Sequence, residues 1–128
     1  MLTKTRTTRP GLGNIALWVT QIILALVFLI AGGSKLAGAS PMVQLFDQIG
    51  VGQWFRYLTG SVEIVGALFL LALPSVIVGA LLLAATMVGA IATHILLVGG
   101  SAAPATVLLV LTLALAWFRR SPGPARSE

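Results

Sequence analysis

The chain has 128 residues with no cysteine, only three acidic residues and a single histidine. Without a thiol there can be no thiol-disulfide relay, no thiolate-held metal and no iron-sulfur cluster. Disulfide usage likewise says nothing about the compartment. For a metal centre, Glu63 and His94 are too few ligands, with Asp47 far from both along the chain. A haem would have only His94 as an axial nitrogen, with Met42 or Met87 as soft partners, and is disfavoured. The expectation is therefore no metal and no intrinsic cofactor.

Charge is scarce as well. Only 9% of residues are Asp, Glu, Lys or Arg, against roughly 25% in a soluble domain, so most of this chain has nothing polar enough to face water. Hydrophobic residues make up 58% of it and the mean hydropathy is +1.04, which makes lipid the solvent of most of its length. The net charge of +5 could point to nucleic acid, but position argues otherwise. Six of the eight cations, Lys4, Arg6, Arg9, Arg119, Arg120 and Arg126, flank the first and last apolar segments. That is a membrane-orientation pattern, so no nucleic-acid partner is expected.

Four apolar runs follow: 14–33, 54–73, 76–98 and 103–118. A crossing of a core of about 30 Å needs roughly 20 apolar residues, and the fold class expected is an all-α bundle of four transmembrane helices. Trp18, the group Trp54, Phe55 and Tyr57, and the pair Trp117 and Phe118 are placed as headgroup-boundary anchors. Pro74 and Ser75 turn the second run directly into the third, as in a tight antiparallel hairpin. Between the first two runs, apolar residues at 42, 45, 46 and 49 recur at helical spacing. This predicts a short interfacial helix over 41–49, with Ser40 as N-cap, Pro41 at the first helical position and an end at Gly50. An ordered loop is the alternative.

With four spans both tails share one side, and the positive-inside rule places that side in the cytoplasm. Residues 1–13 then form a basic cytoplasmic tail and 119–128 a disordered one, rich in Pro and Ser. A rival reading takes Ala37-Gly38-Ala39 as a signal-peptide cleavage site, but the preceding apolar run is as long as a true span and longer than a signal core. The tripeptide Gly-Gly-Ser at 32–34 and 99–101 allows a duplicated hairpin; in a chain this rich in Gly, Ala and Ser, coincidence is the better account.

Ionisable residues inside a span cost several kcal/mol unless they face the bundle interior and find partners. Two do lie inside: Glu63, roughly 10 to 13 Å inward from the aromatic start of the second span, and His94, about 6 Å from the outer end of the third. Lys35 closes the first span at the same outer boundary, so three helices bring titratable groups to one half of the membrane. Helical phase places Gln21, Phe28 and Lys35 on one face of the first helix and Thr59, Glu63 and Gly66 on one face of the second. On the third, Ala85, Gly89 and Thr93 form a small-residue stripe suited to close packing, beside His94. The fourth brings only Thr106 and Thr112, and the inner half has only Gln21 and hydroxyls.

Two readings of these groups stay open. In one, Glu63 pairs with Lys35 to lock helices together and His94 is satisfied by a backbone carbonyl. In the other they form an outward-facing pocket, with Glu63 and His94 exchanging protons and Lys35, Arg56, Thr59 and Gly66 binding a polar headgroup such as a quinone's. Which of Lys35, Arg56 and His94 pairs with Glu63 is not fixed by the sequence.

At these residues the chain resembles the DoxX family of small bacterial membrane proteins, including its DoxX-like branch, over about Trp18 to Phe118. The resemblance is carried by Gly32-Gly33-Ser34-Lys35-Leu36, by Pro41 and Phe46, by Gly60-x-x-Glu63-x-x-Gly66 and by His94. It implies a four-helix protein of the bacterial inner membrane, in a family linked to a terminal quinol oxidase, to thiosulfate and quinone chemistry and to redox homeostasis. Some related branches use cysteines, which are missing here. The functional expectation is a redox-associated subunit that meets a quinone or quinol, or a respiratory or detoxification partner, with the bilayer and either a redox-enzyme partner or a second copy as its partners. The alternatives are a non-catalytic structural or assembly subunit and a small proton-coupled transporter. Four-helix multidrug exporters carry their buried Glu in the first helix rather than the second, which ranks transport last.

Overall fold

The computed structural model describes residues 11–120. The described residues are all helical, without a strand: α1 is Leu12–Ala37, α2 Ser40–Ile49, α3 Gln53–Phe69, α4 Val76–Thr93 and α5 Ala103–Arg119. A 3-10 turn at Leu73–Ser75 leads into α4, and a π turn at His94–Val98 continues it. The helices Leu12–Ala37 and Leu73–Val98, at 26 residues each, are long and apolar enough to cross a membrane. At 1.5 Å per residue each spans roughly 39 Å.

Around the bundle α1 packs on α3, α3 on α4, α4 on α5 and α5 on α1, which closes a ring of four helices. Leu24, Ala25, Phe28, Ala67, Leu70, Ala80, Leu83 and Leu115 fill its centre, all nearly inaccessible. Two contacts bring backbones together. A Cβ on Gly32 would stand 2.8 Å from the carbonyl oxygen of Gly60, and one on Gly79 would stand 2.7 Å from that of Gly66. Small residues thus set the α1–α3 and α3–α4 spacing, as is usual where helices associate without water to drive them.

The stripe Ala85, Gly89 and Thr93 does not pack this way. Ala85 and Gly89 are exposed and a Cβ on Gly89 would touch nothing within 4 Å, so close packing on α4 falls to the face of Gly79, Ala80 and Leu83. Both stripes recur at helical spacing, and only the neighbours decide which one is covered.

The link from α1 to α2 also differs from expectation at its cap. Gly38 adopts a left-handed conformation (φ 74°), the Ala39 amide donates to the Ser34 carbonyl, and Ala39, not Ser40, is the N-cap of α2. The carbonyl of Ala39 accepts the amides of Met42 and Val43, so the chain enters α2 straight from the end of α1 and Ser40 becomes its first helical residue. Gly50 (φ 84°) ends α2. At the other end, Arg119 is the last residue of α5 and packs into the bundle rather than starting a tail. The tail readings for 1–10 and 121–128 lie outside the described residues.

Candidate functional site

Lys35, in the last turn of α1, and Glu63, in the middle of α3, face each other across the close Gly32–Gly60 contact. Lys35 Nζ lies 2.9 Å from Glu63 Oε1, with Glu63 only 2% and Lys35 13% exposed. The approach is that of an ion contact, without the alignment of a well-formed hydrogen bond. The ammonium balances a carboxylate that would otherwise be costly to bury, and the thin α1–α3 seam makes the reach possible. Of the three candidate partners for Glu63, Lys35 is the one at contact distance.

Both residues open onto a cleft of about 550 Å³ between α2, α3 and α4. Its apolar wall includes Met42, Phe46, Phe55, Leu58 and Met87; its polar wall is Lys35, Glu63, Thr59, Thr86, Thr93 and His94. A volume of that size suits a ligand of one or two rings, and a mostly apolar wall with a few convergent polar groups is the common form of a small-molecule site.

His94 stands where α4 changes to the π turn. Its own carbonyl accepts the Gly99 amide at 2.9 Å, and its ring Nδ1 lies 2.9 Å from the Gly99 carbonyl oxygen. Since a carbonyl only accepts, Nδ1 carries a proton, and in that tautomer of the uncharged ring Nε2 is an acceptor. Local π turns are frequent at functional sites. Here the turn fixes the ring that lines the cleft. Thr59 and Thr93, each on the cleft wall, donate to carbonyls one turn back, Phe55 at 2.7 Å and Gly89 at 2.8 Å.

Two residues grouped with these by sequence lie outside the cleft. Arg56 is buried, but its guanidinium is spent within the fold: Nε donates to Gln53 Oε1 at 2.6 Å, Nη1 donates to the Lys35 carbonyl, and its plane lies 4.4 Å over the Tyr57 ring. Gln53 in turn donates to Asp47 Oδ1 at 2.8 Å and to the Val43 carbonyl, so Arg56 ties α1, α2 and α3 together at the end of α1. Gly66 is a packing position, where a Cβ would stand 2.8 Å from the Leu83 side chain. Neither is placed to bind a ligand in this cleft. Helical phase set Gly66 on the face of Glu63, and proximity along the chain brought in Arg56; neither could register that their neighbours already occupy them. Among the described residues no group of three metal-ligating side chains occurs.

A polar cluster at the opposite end was missed by the sequence reading. Fully buried Gln21 donates to the Leu70 carbonyl at 2.7 Å and accepts from Arg119 Nε at 2.7 Å. Arg119 Nη1 also donates to Asn14 Oδ1 at 2.7 Å, and its guanidinium lies 5.6 Å from the Trp18 ring. The signal that could have found it is the pairing of a lone buried amide on α1 with an arginine at the same depth on α5.

Comparison with known proteins gives this arrangement its relatives. The chain is 32% identical over 81 residues to a Bacillus subtilis (strain 168) protein named "Putative oxidoreductase CatD". That match covers 62% of this chain and 60% of the relative, so less than two thirds of the relative's length is spanned. No solved structure matches. The model of the DoxX-like family matches residues 19–118, a stretch that holds Lys35, Glu63, His94 and the whole cleft, and the chain belongs to that family.

Proposed function

We propose that this protein is a four-span subunit of the bacterial cytoplasmic (inner) membrane, with both termini inside, which offers the cleft to the headgroup of a quinone or quinol on behalf of a redox-enzyme partner. The arrangement that carries the proposal is a buried Lys35–Glu63 pair opening onto an apolar cleft within a bundle whose outside is itself apolar. Ile22, Leu26 and Ile30 on α1, Val65 and Leu68 on α3, Val78 and Leu81 on α4 and Val107 and Val110 on α5 are all exposed. Meanwhile Gln21, Glu63 and Thr112 are buried. That inversion suits lipid, and it supports a crossing by α3 and α5 although each has only 17 residues, roughly 25 Å of rise.

In this reading Lys35, α2 and the π turn lie in the outer half of the membrane, and the cleft receives a ligand dissolved in the lipid. A quinol–quinone couple carries two electrons and two protons. Glu63 and His94 are the proton-exchanging groups, Lys35 is the counter-charge beside Glu63, and Thr59 and the apolar wall orient the ring. The electrons belong to the partner, in keeping with the oxidoreductase name of the Bacillus subtilis relative. The lack of cysteine sets this chain's role apart from thiol chemistry.

The reading is tested by purifying the protein in detergent, extracting it for retained quinone and titrating it with a short-chain quinol kept reduced under argon. Binding in the micromolar range, weakened at least tenfold by Glu63→Gln or His94→Phe, is the expected result. If nothing is retained or bound and Glu63→Gln only lowers the melting temperature, the redox reading gives way to that of a structural subunit. One observation favours that second reading: the Lys35–Glu63 and His94–Gly99 contacts are also bonds that hold helices in place.

A further inference from the structure

The polar groups of the cleft are unequal in kind. A threonine hydroxyl has one proton to give and two lone pairs to offer. Thr59, Thr86 and Thr93 have all given theirs to backbone carbonyls, to Phe55 at 2.7 Å, Leu82 at 3.0 Å and Gly89 at 2.8 Å. What they turn to a ligand is acceptor capacity. The Nδ1 proton of His94 is held by the Gly99 carbonyl, so that in this tautomer of the uncharged ring Nε2 is the acceptor. Glu63 sets Oε1 against the Lys35 ammonium, and as the carboxylate of that pair it offers Oε2 as an acceptor. The single donor on the wall is Lys35, whose ammonium turns one side to Glu63 at 2.9 Å and keeps protons to spare.

We propose that the cleft binds its ligand as a hydrogen-bond donor, and therefore takes an aromatic diol, the reduced member of a quinol–quinone couple, in preference to the dione. This rests on the reading of the cleft as a site for such a ring and adds which oxidation state it selects. A diol can give its two hydroxyl protons to two of these acceptors, and both of its donors are satisfied. A dione presents two acceptors to the same wall. Lys35 can meet one of its oxygens, and Glu63, His94 and the threonine oxygens receive no proton from it. Unpaired buried polar groups are what make a site built for a hydroxyl reject the analogue without one. The preference expected is about tenfold or more in Kd.

The test uses the full chain in detergent and three ring-matched probes: tetramethylhydroquinone kept reduced under argon, tetramethylbenzoquinone, and the dimethyl ether of the hydroquinone, which has no protons to donate. Calorimetric titration should rank the diol at least tenfold tighter than either of the others. In His94→Phe, a change at a half-buried position on the wall, the diol should lose affinity while the dione is little changed. In Glu63→Gln the new amide donor should narrow the gap by helping the dione. A dione that binds as tightly as the diol overturns the donor preference and leaves the cleft reading in place. Absence of binding by all three probes overturns the cleft reading itself. A tenfold preference that survives both substitutions unchanged also overturns the proposal, because the selection would then arise elsewhere on the protein.

Discussion

At the scale of single residues, the decisive positions are those where one side chain or its absence sets a distance. Lys35 can neutralise Glu63 only because Gly32 and Gly60 let α1 and α3 approach until their backbones nearly touch. Gly79 does the same for α3 and α4, while Gly89, ten residues on, faces open space. The two make a matched experiment. Gly79→Ala would place its Cβ 2.7 Å from the Gly66 carbonyl oxygen and 2.7 Å from Phe69 Cβ, so helices must move apart. The expected cost is about 1–3 kcal/mol. Gly89→Ala meets nothing and should be neutral or stabilising by up to about 1 kcal/mol, since alanine loses less freedom in a helix. Thermal unfolding in detergent reads both; equal melting temperatures for the two variants would contradict the assignment of the packed face. In sequence these glycines look alike, since periodicity reports a face and not what lies against it.

At the scale of elements, the bundle is fastened by polar contacts at both ends. At one end Arg56 and Gln53 tie α3 to the carbonyl end of α1 and to α2, and His94 closes the π turn onto Gly99. At the other, Arg119 on α5 grips Gln21 and Asn14 on α1, and Gln21 also holds the C-cap of α3 through the Leu70 carbonyl. Hydrogen bonds to a charged group contribute about 1.5–3 kcal/mol. Arg119→Ala should therefore lower stability by about that amount and speed hydrogen exchange in the last turn of α5. The cleft lies at the far end, so ligand affinity there should be unchanged. Arg119→Lys should recover only part of the loss, because an ammonium cannot reproduce the forked geometry that reaches both amides. Loss of ligand affinity equal to that of Glu63→Gln would show that the two ends are coupled rather than separate.

At the scale of the whole molecule, the question is how an apolar bundle sits in lipid. The proposed topology puts the α1–α2 and α4–α5 links outside and both tails inside. The natural absence of cysteine makes it directly readable, since any thiol introduced is the only one present. Cysteine placed at Gln48 or Ser101 should react with a membrane-impermeant maleimide on intact spheroplasts, and cysteine at Thr5 only after permeabilisation; the reverse pattern would invert the orientation. The sequence by itself determined that the chain is helical and made for lipid, because length, charge depletion and anchor placement are one-dimensional properties, and it singled out Lys35, Glu63 and His94 because ionisable residues are costly in apolar runs. Which of them meet was decided by the tertiary structure. It paired Glu63 with Lys35, withdrew Arg56 and Gly66 from the cleft, fixed the His94 ring on Gly99 and recruited Arg119 to Gln21. The physical reason is that partner choice depends on how closely two helices approach and what already fills the space between them, and periodicity along one helix contains neither.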